Sequence, residues 1–463
     1  MFTAIVIVFI IGYLCIALEH PLKVDKTATA LVLGMILWLL YALGADSIVP
    51  VVSGEHFSKF VSEHPSLAGE PLHKQAIEYI LNVDIIEQLG EITQTLFFLI
   101  GAMTIVELID VHGGFRIITD RITTRNKRSL LWIICLTTFF MSAVLDNLTT
   151  SIVMIMLLRK LISDQKERWI YAGAVVIAAN SGGAWSPIGD VTTIMLWVKG
   201  NVTAASLITY VLVPSLVSMI LPISIISLQL KGNLAHTEVI ETKESFVTSR
   251  ERSTIFFLGV GGLIFVPIFK SITHLPPFVG ILLVLGILWI YMEMFYNRKH
   301  LERAQEHRLP QVISRIDLSS ILFFLGILMA VAVLQTSGIL RGLSSWLDET
   351  LHNIFLIDLI IGILSSVVDN VPMVAGAIGM YPVAEVGATG YAANFVVDGF
   401  FWELLSYTAG VGGSILIIGS AAGVIAMGLE KINFGWYLKK FSWLALLGYL
   451  DGAFVYLLEK SLF

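Results

Sequence analysis

The sequence predicts an all-α polytopic membrane protein, built as an inverted repeat of five spans plus one re-entrant hairpin per half. Three observations predict it. Apolar runs of about 20 residues, enough to cross a bilayer core, recur along all 463 residues. Charged residues make up 14% of the chain and hydrophobic ones 56%, whereas a soluble domain carries about 25% charged residues. Three short motifs, two of them polar, occur twice, in the same order and at nearly constant spacing.

Full spans are expected near 2–18, 28–45, 94–111, 169–198, 204–230, 253–270, 275–296, 318–336, 399–429 and 436–459. The opening run MFTAIVIVFIIGYLCIAL has neither a basic start nor a small-residue cleavage site, so it reads as a first span and not as a signal peptide. The apolar stretches 129–162 and 354–380 are interrupted at their middles by Asp146-Asn147 and Asp369-Asn370. Each reads as a re-entrant hairpin with its tip in the membrane. Within 46–93, the stretch His73–Leu89 reads as an amphipathic interfacial helix. Cys15 and Cys135 lie in apolar runs and fit neither a disulfide framework nor a metal cluster.

Basic residues test this layout. With the N-terminus outside and both hairpins returning to their starting side, the inner segments are 19–27, 112–128, 159–168, 231–252, 297–315 and 431–440, and they hold 23 of the 29 Lys and Arg. Such residues favour cytoplasmic loops. The external segment 46–93 has eight acidic residues and two lysines. Both termini are therefore expected outside.

The halves correspond as 1–230 and 253–463, joined by a cytoplasmic connector, 231–252. TLFFLIG at 95–101 matches ILFFLGI at 321–327, SAVLDN at 142–147 matches SSVVDN at 365–370, and GGAWSPIGD at 182–190 matches GGSILIIGS at 412–420, at offsets of 226, 223 and 230 residues. An odd number of spans per half makes the halves enter the membrane from opposite sides, a common plan of secondary transporters with a site near the midplane.

The hairpin tips carry the first polar constellation. A carboxylate inside a membrane is costly and by default functional. Asp146 and Asp369 recur in both repeats, and Asn147, Thr149, Thr150, Ser365 and Asn370 add neutral oxygens, the ligand type that hard cations want. A sodium ion is accordingly expected at Asp146, Asn147, Asp369 and Asn370. The alternative is that each Asp caps a helix, and both roles are compatible. The second constellation is 178–193 with 406–423, where glycine pairs and Pro187 break apolar helices and free backbone groups to line a site. Asn180, Ser181, Asp190, Thr192 and Thr193 cluster at the first break; Thr408, Ser414 and Ser420 decorate the second. Small-residue packing is the expected role for Gly423 and Gly428.

Other polar groups allow two roles. Glu107 and Asp110 read as helix-end acids or parts of an ion path. Glu403 and Asp451 read as proton-relay residues or structural partners. His56, His64, His73, His236 and His307 read as surface residues, with pH sensing as the alternative within 46–93. No Walker A, dinucleotide-binding, HExxH or CxxC pattern is present. Neither an enzyme nor an ATP-driven pump is therefore expected, and no cofactor.

SAVLDNLTTS, AANSGGAWSPIGDVTT, SSVVDNVPM and GGSILIIGSAAG resemble the NhaD-type sodium/proton antiporters of the ion transporter superfamily, related to arsenite permeases and divalent-anion carriers. The resemblance covers the chain from about Leu89 onward. It implies a bacterial inner-membrane exchanger of Na⁺ or Li⁺ for H⁺. It also places Ser142, Asp146, Asn147, Asn180, Asp190, Thr192, Thr193, Ser365, Asp369 and Asn370 in the transport path. Ser420 stands where the first repeat has Asp190, so the half-sites are not equivalent. The competing functions are arsenite or dicarboxylate transport and an uncoupled channel or receptor. The expected partners are small inorganic cations and the lipid bilayer, with no nucleic acid; a homodimer is an option the sequence leaves open.

Overall fold

The computed structural model describes residues 1–234, 248–298 and 308–462. His236, His307 and most of the 231–252 connector lie outside the described residues. The described residues form helices joined by short links, with one isolated β-bridge, Asn126 to Asn233. Among the described residues, eight helices are long and apolar enough to cross a membrane: Lys26–Leu43, Leu72–Val111, Lys127–Leu145, Ala204–Gln229, Ser249–Thr273, Pro277–Asn297, Leu318–Thr336 and Phe434–Leu462.

Most expected spans coincide with a helix, and the span 318–336 ends where the helix Leu318–Thr336 does. The differences have local causes. The spans 169–198 and 399–429 are each two helices, Gln165–Ala184 with Val191–Lys199 and Phe400–Gly412 with Ala421–Glu430, because the glycine pairs interrupt them. The interfacial helix expected at 73–89 is instead the start of one helical run, Leu72–Val111, which passes through a π-helical turn at Ile80–Asp84. Glu87, Gln88 and Glu91 hid its continuity with the apolar stretch. The amphipathic helix Ile339–Leu351 was not anticipated.

The helices form two compact units, and each unit draws on both halves of the sequence. The first comprises Met1–Leu96, Asp317–Ile354 and Val374–Val383. Its core is the pair Lys26–Leu43 and Leu318–Thr336. Glycines set their approach: a Cβ on Gly34 would lie 2.6 Å from the Gly326 carbonyl oxygen, and one on Gly326 would lie 2.6 Å from the Ala30 carbonyl carbon. Trp38 Nε1 donates to the Met329 carbonyl at 3.1 Å, and the Thr27 and Ser319 hydroxyls pair at 2.9 Å. Tyr41 donates to Asp84 Oδ2 at 2.8 Å, which satisfies a buried acid.

The second unit comprises Phe97–Ile316, Phe355–Met373 and Ala384–Phe463. It holds all the polar motif residues. Each Asp-Asn motif is a junction between two helices: Lys127–Leu145 meets Asn147–Leu161, and Ile354–Val368 meets Asn370–Met380. The single intervening residues, Asp146 at φ 72° and Asp369 at φ 89°, occupy positive φ, a conformation that L-residues other than Asn and Asp rarely take. Lys127–Leu145 alone has 19 residues, so by length the first arm can reach across a bilayer.

Candidate functional site

The two helix junctions and the two broken helices interlock through their smallest residues. A Cβ on Gly189 would lie 2.9 Å from the Ser142 carbonyl oxygen, and one on Gly182 or Gly412 would overlap the carbonyl of Phe139 or Gly362. Hydroxyls tie the same elements. Ser142 donates to the Ala179 carbonyl at 2.6 Å, and Ser365 to the Ala409 carbonyl at 3.3 Å. Residues 142 and 365 are related by the junction offset of 223, and 179 and 409 by the broken-helix offset of 230. Asp190 (φ −148°, ψ 150°) and Ser420 (φ −150°, ψ 156°) cap equivalent helices with near-identical backbones.

The polar centre forms around Asp190, which is 2% exposed. Asn147 Nδ2 donates to its Oδ2 at 2.6 Å. Asn370 Nδ2, from the other repeat, lies 3.4 and 3.3 Å from its two oxygens. The Thr192 amide donates to Oδ1 at 3.0 Å, and Thr193 completes a capping box: its hydroxyl accepts from the Asp190 amide at 3.2 Å and donates to the Asp190 carbonyl at 2.8 Å. The network continues to the second break. Asn180 Oδ1 accepts from Asn147 at 3.1 Å, while its Nδ2 donates to Ser414 at 3.0 Å and Ser420 at 2.8 Å. Among the described residues, the donors to the Asp190 carboxylate are thus neutral amides.

The tip acids act as caps. Asp146 accepts from the Thr149 amide at 2.7 Å and the Thr149 hydroxyl at 3.0 Å, and Asp369 accepts from the Val371 amide at 3.3 Å. Both sit within electrostatic range of Asp190, so three carboxylates act on one centre. They do not pack as a closed metal cage: among the described residues no three His, Cys, Asp or Glu side chains group closely enough to hold an ion by themselves. A cation here needs carbonyl, hydroxyl or amide oxygens as well. The Thr150 hydroxyl is buried and lacks a partner among the described residues.

The remaining expected residues divide. Ser181 pairs with Ser218 at 2.9 Å, and Thr408 donates to the Leu405 carbonyl of its own helix at 3.4 Å. Glu403 stands apart from the Asp190 network: it accepts from Ser206 and from Tyr456 at 2.7 Å and pairs with Lys460 at 2.7 Å. Gly423 packs against the Ile417 backbone, but a Cβ on Gly428 meets nothing within 4 Å, so small-residue packing does not explain Gly428. His56, His64 and His73 are exposed as expected. Three buried acids, Asp84, Asp358 and Glu430, escaped sequence reading. Glu430 accepts from Arg159 at 2.7 Å and Arg168 at 2.9 Å; it falls between the span expected at 399–429 and the basic segment 431–440. Asp358 interrupts an apolar run, which is the local signal it offers.

Residues 6–397 match the family described as citrate transporter. Sodium/proton antiporter 1 of Arabidopsis thaliana is 40% identical over 99% of this chain and 73% of its own length, and sodium/proton antiporter 2 of the same plant is 40% identical over 97% and 98%. The Na⁺/H⁺ antiporter NhaD of Vibrio cholerae is 28% identical over 98% of this chain and 91% of its own. The eight apolar helices, the twin Asp-Asn junctions and these matches establish a multi-pass membrane protein that belongs to the citrate-transporter family, within its NhaD-type sodium/proton antiporters.

Proposed function

We propose that this protein exchanges Na⁺ or Li⁺ for H⁺ by alternating access, with the two ions competing for intramembrane carboxylates centred on Asp190 and flanked by Asp146 and Asp369. One observation carries the reading: a buried carboxylate held by Asn147, Asn370 and a backbone amide, with no basic side chain bonded to it. Such a group gains from a bound cation and repels an anion. Sodium favours its ionised form and so displaces a proton; a proton neutralises it and so displaces sodium. Antiport then needs only a site that crosses poorly when charged and empty. The corresponding Ser142 and Ser365 bonds and the Asp190 and Ser420 caps support an inverted repeat with re-entrant hairpins, the architecture that supplies two alternating states. The skew of basic residues supports both termini outside, and the bacterial relatives support an inner (plasma) membrane.

The matched family's description favours a second reading, transport of citrate or of a dicarboxylate. A central Asp190 carboxylate that no Arg or Lys among the described residues bonds argues against it. Everted vesicles carrying a pH-sensitive dye decide the matter on addition of NaCl, LiCl, KCl, citrate or arsenite. Dequenching by sodium or lithium alone is expected. Dequenching by citrate or arsenite but not by sodium overturns the reading.

A further inference from the structure

Asp358 lies one turn into Ile354–Val368 and is 0% exposed, and neither carboxyl oxygen has a hydrogen-bond partner among the described residues. A charge left bare in such a place is strongly disfavoured, so this acid is not explained as a structural ion. Steps of four, three and four residues put Asp358, Gly362, Ser365 and Asp369 on one helix face. At about 1.5 Å per residue, Asp358 sits roughly 16 Å along the helix from the tip acid.

The surroundings are titratable. The Tyr449 hydroxyl donates to the Leu359 carbonyl at 2.9 Å, and Gly362 leaves the room: a Cβ there would lie 2.6 Å from the Thr408 carbonyl oxygen. Tyr449 and Tyr456, two turns apart on the last helix, are both within electrostatic range of Asp358. Tyr456 donates to Glu403 at 2.7 Å, and Glu403 pairs with Lys460 at 2.7 Å, whose side chain is 23% exposed. Titratable groups therefore succeed one another from a partly exposed lysine to within electrostatic range of the buried acid. The Glu403–Lys460 pair is neutral overall and holds no site for sodium. The first repeat lacks the equipment: at the junction offset of 223, Cys135 stands opposite Asp358, and at the broken-helix offset of 230, Gly173 stands opposite Glu403.

We propose that Asp358 is a proton-loading carboxyl, reached through Lys460, Glu403 and Tyr456, that takes up the proton on its way to the shared carboxylates around Asp190. The proposal deepens the exchange reading and rests on it. The step is a protonation alone: a proton from water joins an Asp358 oxygen, and the same O–H bond breaks on release. The titratable groups within electrostatic range of it are Tyr449 and Tyr456, with Glu403 and Lys460 joined to Tyr456.

The test uses the full chain in proteoliposomes. Sodium/sodium exchange, followed with radioactive sodium at equal pH, moves no net proton; sodium-driven proton flux requires one. Asp358→Asn is expected to cut proton flux by about tenfold or more while sodium/sodium exchange persists. Asp358→Glu restores the flux with a displaced pH profile, and Tyr456→Phe slows it. Infrared spectra of the detergent-solubilised protein supply a readout independent of transport: a carboxylic-acid C=O band lost in Asp358→Asn. An unchanged flux and pH profile in Asp358→Asn overturns the proposal. Equal loss of both fluxes in folded Asn and Glu variants also overturns it, because that marks a packing role. If the wild type couples no protons to sodium, the exchange reading itself fails, and an absent infrared band then sinks the Asp358 assignment separately.

Discussion

Asp190→Ser is the most informative perturbation because the protein already contains its outcome. At the equivalent position Ser420 caps Ala421–Glu430 through the Gly423 amide at 3.2 Å, with the same backbone as Asp190. The substitution therefore keeps a capping oxygen at the start of Val191–Lys199 and removes the charge together with the oxygens that accept from Asn147 and Asn370. Serine and aspartate are nearly equal caps, whereas alanine costs about 1 kcal/mol. Two opposite unit charges about 4 Å apart attract by about 4 kcal/mol at an effective dielectric of about 20. At about 1.4 kcal/mol per factor of ten, sodium affinity should fall roughly a thousandfold. Asp190→Asn should behave likewise, with a smaller loss of fold stability than Asp190→Ala, which also strands the Asn147 and Asn370 amides at about 1–3 kcal/mol each. The assay is sodium-dependent dye dequenching in everted vesicles across a range of sodium concentrations, beside thermal unfolding in detergent. Wild-type sodium dependence in folded Asp190→Ser or Asp190→Asn protein would show that the carboxylate is only a cap, and the cation centre would have to be sought elsewhere.

Three further expectations follow from the same geometry. Asp146→Asn and Asp369→Asn should insert and fold, since Asn caps as well as Asp, yet lose sodium-dependent proton movement; wild-type exchange in both would make these acids purely structural. Competition fixes a sign for pH: as pH falls, protons occupy the carboxylates and the apparent Km for sodium rises, by up to about tenfold per pH unit for one-for-one competition, and a Km flat from alkaline to acidic pH would exclude shared ligands. Gly326→Val should lower the melting temperature by prising Leu318–Thr336 from Lys26–Leu43, where overpacking costs about 1–3 kcal/mol or more, whereas Gly428→Ala, with nothing within 4 Å of its Cβ, should leave it unchanged.

The sequence by itself determined that the chain is a polytopic helical membrane protein. Apolar runs must cross the bilayer as helices because no water is available there to bond an open backbone. It also determined where helices break, because Asp146, Asp369 and the glycine pairs oppose helical continuity locally. It identified nearly every member of the polar centre, since a carboxylate or amide amid apolar residues stands out without coordinates. Only the tertiary structure decided how those residues divide. Asp190 became the hub because Asn147 and Asn370, 223 residues apart in the chain, both turn their amides toward it, whereas Asp146 and Asp369 spend oxygens on their own helix ends. Glu403 left the centre for Lys460 and Tyr456, partners more than 50 positions distant that no local pattern predicts. Asp358 acquired meaning only from its isolation: a sequence shows that an acid lies in an apolar run, but whether a partner reaches it depends on which helices pack beside it.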